Sequence, residues 1–245
     1  MAILPDIIAR AEAMNTSRDN HLWLQSWRDQ QTDFHQQTVN PLLTRFWPGL
    51  KLAWGSRIFV PLCGKSLDMI WLAEQGFHVI GVELSPIAVR DFFQENNLKP
   101  AKRRSGKFTL WKHGRITILC GDYFALKKKD LGIIDTVYDR AALTALPEDI
   151  RRLYVAHLRD IVVDSTEVFL LTTEDAEENE SLSQALGVGE EIKTLYAENF
   201  DIDLAHVESA FEADPESPSQ ELQRVEYKLY RLSSLANAKQ DPRSK

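Results

Sequence analysis

The chain has 245 residues, 44% hydrophobic and 27% charged, with a formal net charge of −7. A single α/β domain of this length buries roughly 70–75% of its unfolded surface without a disulfide or metal staple, and the cysteines, Cys63 and Cys120, do not form a zinc-site pattern. No apolar run approaches the ~18 residues of a membrane helix, and the acidic balance argues against a nucleic-acid-coating protein, which leaves a cytoplasmic enzyme or small-molecule binder with no metal, nucleic-acid or membrane partner expected.

The opening MAILPDIIARAEAM has Asp6 and Arg10 inside its apolar stretch and lacks the form of a signal peptide. Residues 1–55 read as helical and hold four of the six tryptophans, Trp23, Trp27, Trp47 and Trp54. Ile7, Ile8 and Ala11 follow Pro5 at helical spacing. Leu22, Trp23 and Trp27 share one face of a second helix, from about Asp19 to Gln30.

At Arg57 the pattern changes. Ile58-Phe59-Val60 suits a fully buried strand. Ser66 reads as the cap of a helix that ends at Gly76. His78 to Val82 is a second strand, and Ser85-Pro86 opens a helix to about Asn97. Phe108–Trp111 and Ile116–Leu119 read as a hairpin or a bent third strand, and Ile133–Tyr138 as a fourth. Pro147 starts a long helix with Tyr154, His157 and Leu158 inward, followed by a strand over Val168–Thr172. Glu174–Glu180 reads as a surface loop or helix start, and Glu190–Tyr196 as a helix. Ile202–Val207 and Val225–Leu232 read as an edge hairpin. The basic runs Lys102–Arg104 and Lys127–Lys129 read as solvated loops.

Strand and helix alternating in this way predict an α/β fold, a doubly wound, mostly parallel sheet with an N-terminal helical lid and a C-terminal edge hairpin. One domain is expected over 1–232, divided into a lid (1–55) and a core (56–232), with a disordered tail over 233–245.

Ligands of open α/β sheets lie beyond the carboxyl ends of the strands. The first strand ends in Pro61-Leu62-Cys63-Gly64-Lys65-Ser66, a glycine turn that lets backbone approach a ligand. It lacks both the spacing of a phosphate-binding loop and the GxGxxG fingerprint. Glu83 ends the second strand about 20 residues after Gly64, where an acidic residue accepts both ribose hydroxyls of an adenosine; the alternative is a helix-capping carboxylate. Asp122 in Cys120–Phe124 can receive an adenine amine, and Tyr123 can cover the ring face. Asp139-Arg140 ends the fourth strand and reads as a ligand-edge pair or a structural ion pair. Trp23, Trp27 and Phe34 sit where a lid would be, although indoles at helical spacing serve a core as readily as a cofactor. Cys63 and Cys120 suit small buried positions at strand ends, with a reactive role as the alternative.

Trp27, Phe34-His35-Gln36, VPLCGKSLDMIWLAEQGFHVIGVELSPIAVRDFF, CGDYF and YDRAALTALP together resemble the thiopurine S-methyltransferase family, a branch of the class I S-adenosylmethionine-dependent methyltransferases. The resemblance runs over about residues 20–173. It implies a Rossmann-like fold, S-adenosylmethionine as cofactor with S-adenosylhomocysteine as product, and a small-molecule thiol or other soft nucleophile as acceptor. Trp27, Leu62, Glu83 and Arg140 match the family's contacts to the cofactor, with Gly64 in the same turn. Asp122 and Tyr123 match its adenine-side contacts, and Phe34 an aromatic lining the acceptor pocket. Arg140 is the candidate catalytic residue, holding the cofactor carboxylate or polarising the acceptor.

The chain departs from the pattern at Ser26 and Asp33, where the family usually has Arg and Gly. It also carries Thr172-Thr173-Glu174-Asp175-Ala176 instead of a Gly-Pro-Pro-Phe loop. The expected activity is S-methylation of thiopurine-type or other aromatic and heterocyclic thiols by a monomer. The alternatives are the same fold acting on halide, thiocyanate, selenium or tellurium species or a metabolite thiol, and a binding protein that has lost catalysis.

Overall fold

Ile58, Phe59 and Val60 offer nothing polar beyond their backbone, so a strand covered on both faces is the way to bury them with every amide paired. All three are buried. They belong to a computed structural model that describes residues 20–32, 35–175, 189–212 and 223–235. The expected helix around Ile7, the acidic residues after Asp175 up to Val188, and the tail beyond Leu235 lie outside those residues. The chain divides into two compact units, Met1–Asp135 with Glu148–Val163, and Thr136–Pro147 with Asp164–Lys245.

In the first unit, helix α1 covers 20–28 among the described residues. Helix α2 (Pro41–Phe46) follows, started by the Asn40 side chain accepting from the amides of Leu42 and Leu43. Then come β1 (Arg57–Val60), α3 (Asp68–Glu74), β2 (His78–Glu83) and α4 (Pro86–Glu95), followed by β3 (Ala101–Ser105), β4 (Phe108–His113), β5 (Ile116–Cys120), the short α5 (Lys128–Leu131) and, after an excursion into the second unit, α6 (Glu148–Ile161). β1, β2 and β5 are parallel, with Phe59 opposite Ile80 and Gly81 opposite Ile118. β4 returns antiparallel along β5, and β3 along β4. Phe59, Met69, Leu72, Val79, Phe92 and Ile118 form the dry interior.

The second unit holds β6 (Thr136–Arg140), β7 (Glu167–Asp175), α7 (Glu190–Tyr196), β8 (Phe200–Glu212) and β9 (Gln223–Ser234). β6 and β7 are parallel, whereas β9 lies antiparallel to both β7 and β8. The edge hairpin is therefore present and longer than its apolar residues suggest.

Several local expectations are corrected. Leu22 is 60% exposed, so α1 buries Trp27 and not a three-residue stripe. Trp54 lies in the loop before β1 and is 75% exposed. Ser66 does not cap α3: its hydroxyl accepts from Asp68 N in a turn that precedes the helix. The run Lys102–Arg104 is strand and not loop, every residue of β3 being exposed. Its pairing to β4 and the Lys102 ammonium 3.6 Å from the Trp111 ring centroid hold it in place of a buried face. Lys128 and Lys129 begin a helix. Ile133 is 68% exposed because the fourth strand starts later, at Thr136. Glu174 and Asp175 continue β7, paired with Glu226 and Val225, and Ser233 and Ser234 belong to β9 rather than to a tail.

Candidate cofactor site

After Val60 the chain must reverse into α3, and it does so through two left-handed residues, Leu62 (φ 45°) and Gly64 (φ 51°). Gly64 adopts that conformation freely, whereas for Leu62 it costs about 1–3 kcal/mol of local strain. The turn is tied to the next strand by Cys63 N donating to Val82 O at 2.9 Å. Glu83, at the end of β2, is 6% exposed. One carboxylate oxygen accepts from Gly64 N at 2.8 Å and the other from Ser85 N at 2.7 Å, while its backbone carbonyl accepts from Gly121 N at 2.9 Å. Glu83 thus fastens the turns after β1, β2 and β5 to one another. Burial pushes its pKa up, and the backbone N–H groups pull against that rise without cancelling it. A carboxylate has about four lone-pair positions, so two such bonds leave acceptor capacity for hydroxyl donors. The ribose and capping readings are therefore compatible in one side chain.

Trp27, 5% exposed, lies against the glycine turn: a Cβ on Gly64 would stand 3.4 Å from its ring. At the other end of α1, Asn20 Nδ2 donates to Asp122 Oδ2 at 3.4 Å. Asp122 Oδ1 accepts from Phe124 N at 3.0 Å and starts a 3-10 turn over Tyr123–Ala125. The Tyr123 ring is only 3% exposed. It stacks on Tyr154 with centroids 4.9 Å apart, and its hydroxyl donates to Tyr154 O at 3.0 Å. Packing against α6 thus turns the ring inward, toward Tyr154.

The structure therefore brings Trp27, Leu62, Gly64, Glu83, Asp122 and Tyr123 together within the first unit. Arg140 belongs to the second unit, as the half-buried last residue of β6. Ala141 follows with φ 59°. The fully buried Asp139 accepts from Leu143 N at 3.3 Å, fixing the turn out of the strand. Phe34 lies outside the described residues.

Both thiols are protonated at neutral pH. Burial and the neighbouring Glu83 push Cys120 up to about 11 and Cys63 well above the ordinary thiol range, the opposite of what activates a thiol. Among the described residues no His, Cys, Asp and Glu side chains gather to hold a metal ion, and no helix is long and apolar enough to cross a membrane.

Three residues that support this site were not singled out by sequence: Asn20, His157 and Gly81. The signal for Gly81 was its place inside an apolar strand, which marks close approach. A Cβ there would lie 2.7 Å from Cys63 Sγ and 3.1 Å from Met69 Sδ. Gly81→Ala is accordingly expected to displace Cys63 in the glycine turn and to destabilise the protein by about 1–3 kcal/mol. A urea melt together with a cofactor-binding titration reads both effects, and a variant indistinguishable from wild type in both refutes the close contact.

The thiopurine S-methyltransferase family model matches residues 18–234. The chain belongs to the thiopurine S-methyltransferase family. It is 63% identical over 218 residues to the thiopurine S-methyltransferase of Stutzerimonas stutzeri, covering 89% of this chain and 92% of that one. To the enzyme of the same name from Nitrosospira multiformis it is 41% identical over 210 residues, covering 86% and 96%. Two solved structures share its fold. Magnesium protoporphyrin IX methyltransferase from Synechocystis, with bound S-adenosylmethionine, has TM-score 0.56 and 15% identity over 88% of this chain and 97% of that one. An S-adenosylmethionine-dependent methyltransferase from Anabaena variabilis has TM-score 0.54 and 13% identity over 87% and 94%. The protein is an S-adenosylmethionine-dependent S-methyltransferase with the Rossmann-like class I fold. The residues present fit that cofactor: a strained glycine turn gives backbone access, a buried carboxylate retains acceptor capacity, and Asp122 presents an oxygen at the neighbouring strand end.

Proposed function

We propose that this family member methylates an aromatic or heterocyclic thiol of the thiopurine type. The observation that carries the proposal is the 63% identity, over 89% of the chain, to a relative named for that activity. S-adenosylmethionine supplies a methyl group on a sulfonium, which is an excellent leaving group. The protein has to orient an acceptor sulfur in line with that methyl and exclude water. A thiopurine is substantially thiolate or thione near neutral pH, so no strong general base is needed.

In this reading Glu83 takes the ribose hydroxyls, the backbone at Leu62 and Gly64 lies along the amino-acid side, and Trp27 packs over the cofactor. Asp122 and the backbone of Tyr123 meet the adenine edge. Arg140 and Phe34 enter on the family correspondence alone, Phe34 on the acceptor side. The enzyme is assigned to the cytoplasm, acting as a monomer with one catalytic domain.

A second reading keeps the cofactor and changes the acceptor to a halide, thiocyanate, or selenium or tellurium species. It is favoured by Thr172-Thr173-Glu174 standing where the family has its Gly-Pro-Pro-Phe loop, with Glu174 engaged by Thr172 and Tyr230 hydroxyls, each at 2.8 Å. Incubation with 6-mercaptopurine, iodide or selenite, followed by S-adenosylhomocysteine release, separates these readings. Turnover is expected with the thiopurine; turnover confined to iodide or selenite selects the second reading, and cofactor binding without any turnover leaves a protein that only binds. Arg140→Met is expected to weaken S-adenosylhomocysteine while sparing 5′-methylthioadenosine if the guanidinium holds the cofactor carboxylate. Equal affinities for both ligands in wild type and variant assign Arg140 to the acceptor.

A further inference from the structure

We propose that His157 is a positioning residue that sets the enzyme's selectivity for an adenine base, acting through the Tyr123 peptide and touching no ligand itself. The proposal rests on the assignment of Asp122 and Tyr123 to the adenine edge.

His157 is half-buried on α6, and its Nε2 lies 3.1 Å from Tyr123 O. A carbonyl can only accept, so Nε2 carries the proton and donates. Burial lowers the imidazole pKa, with the bond to Tyr123 O and then the nearby Asp160 and Asp122 opposing the shift, which favours the neutral ring at pH 7. The same carbonyl accepts from Leu126 N at 3.0 Å, closing the 3-10 turn. The His157 ring also meets the Tyr123 ring edge-on, 5.1 Å between centroids, and the Phe124 ring at 5.6 Å. One turn earlier on α6, Tyr154 O holds the Tyr123 hydroxyl. α6 therefore grips Tyr123 at its carbonyl, its ring and its hydroxyl. The bonds to the carbonyl and the hydroxyl are directional, which burial of apolar surface alone does not require.

What they fix is the orientation of the turn that Asp122 opens. Asp122 Oδ1 is committed to Phe124 N, while Oδ2 holds only the longer 3.4 Å contact from Asn20 among the described residues. Adenine offers a donor at its amine and an acceptor at the adjacent ring nitrogen, and a 6-oxopurine offers the reverse. Discrimination between them requires the carboxylate and the neighbouring backbone N–H to be held at one angle, because a rotated turn serves neither pattern well. A hydrogen bond from a neutral imidazole to the carbonyl of that turn resists the rotation.

The test compares affinities for S-adenosylhomocysteine and S-inosylhomocysteine, which differ only at that base edge, by calorimetry on the full chain. His157→Phe keeps the ring contacts and removes the N–H, and is expected to reduce the adenine preference about tenfold. It should also raise KM for S-adenosylmethionine with kcat nearly unchanged. His157→Gln, which restores a donor, is expected to recover most of the preference. Should His157→Phe not fold, Tyr123→Phe removes the hydroxyl anchor alone and is expected to lower the same ratio by a smaller factor. An unchanged ratio in these variants, with Asp122→Asn lowering it, overturns the role of His157 and leaves the adenine assignment standing. An unchanged ratio in Asp122→Asn as well overturns both.

Discussion

Glu83→Ala is expected to raise the dissociation constant for S-adenosylhomocysteine about a hundredfold or more and to destabilise the free protein. Each charge-assisted bond from a ribose hydroxyl contributes about 1.5–3 kcal/mol, and 1.4 kcal/mol is a factor of ten. The stability loss has a separate origin. Gly64 N and Ser85 N donate to this carboxylate at 2.8 and 2.7 Å, and each buried N–H left unsatisfied costs about 1–3 kcal/mol. Calorimetry reads the first effect and a urea melt without cofactor reads the second; unchanged affinity sinks the ribose assignment even if the protein is destabilised.

The raised pKa of Glu83 adds a pH dependence. The native state holds this proton to higher pH than the unfolded chain, so its contribution to stability is greatest when protonated. That contribution declines as pH rises from the ordinary carboxylate range through the raised value. Cofactor binding runs the other way, because the ionised form is the better acceptor. Affinity is expected to strengthen with pH across the same window and level off above it, with a proton released on binding below it. Calorimetry in buffers of different ionisation enthalpy counts that proton.

Lys228→Ala is expected to cost about 3–5 kcal/mol of stability, a large part of the ~5–15 kcal/mol that holds a typical domain folded. The ammonium is 2.8 Å from Glu174 Oε2 and 3.4 Å from Glu226 Oε2, with only 8% of the side chain exposed. Arg224 also reaches Glu226, at 2.9 Å, but Glu174 has no second cation at this distance among the described residues. Tyr230 joins the cluster, donating to Glu174 at 2.8 Å and accepting from Gly189 N at 3.3 Å; burial and the carboxylate push its phenol well above the usual range. Lys228→Met keeps most of the apolar stem. It should be nearly as unstable as the alanine variant in a urea melt if the uncompensated charge dominates, and Lys228→Met with Glu174→Gln should recover part of the loss. Wild-type stability in Lys228→Met alone refutes the charge argument.

The elements most legible in the sequence were those whose side chains go where their local pattern sends them. Ile58–Val60 and His78–Val82 are short apolar runs with turn residues beyond them, and both are buried parallel strands. Ser85-Pro86 caps α4 as its residue types require, the serine side chain accepting from Ala88 N. β3 was illegible for the opposite reason: Ala-Lys-Arg-Arg-Ser buries no face, and only pairing to β4 makes it a strand. The extension of β7 through Glu174 and Asp175 was hidden in the same way, since acidic residues remain in a strand there only because β9 runs alongside.

The two cysteines stand near Glu83, and burial together with that carboxylate raises the pKa of both thiols. Part of the acidic excess, Glu174 and Glu226, is neutralised within the second unit by Lys228 and Arg224. By itself the sequence determined the alternation of strand and helix, the family, and which residue types stand at the strand ends, because those depend on local spacing. Tertiary structure decided how each residue is used: Glu83 locking three turns, Tyr123 facing inward, Gly81 making room for Cys63, and His157 holding a carbonyl on a distant turn. Those roles join residues many positions apart, and a contact of that kind exists only once packing has fixed both partners in space.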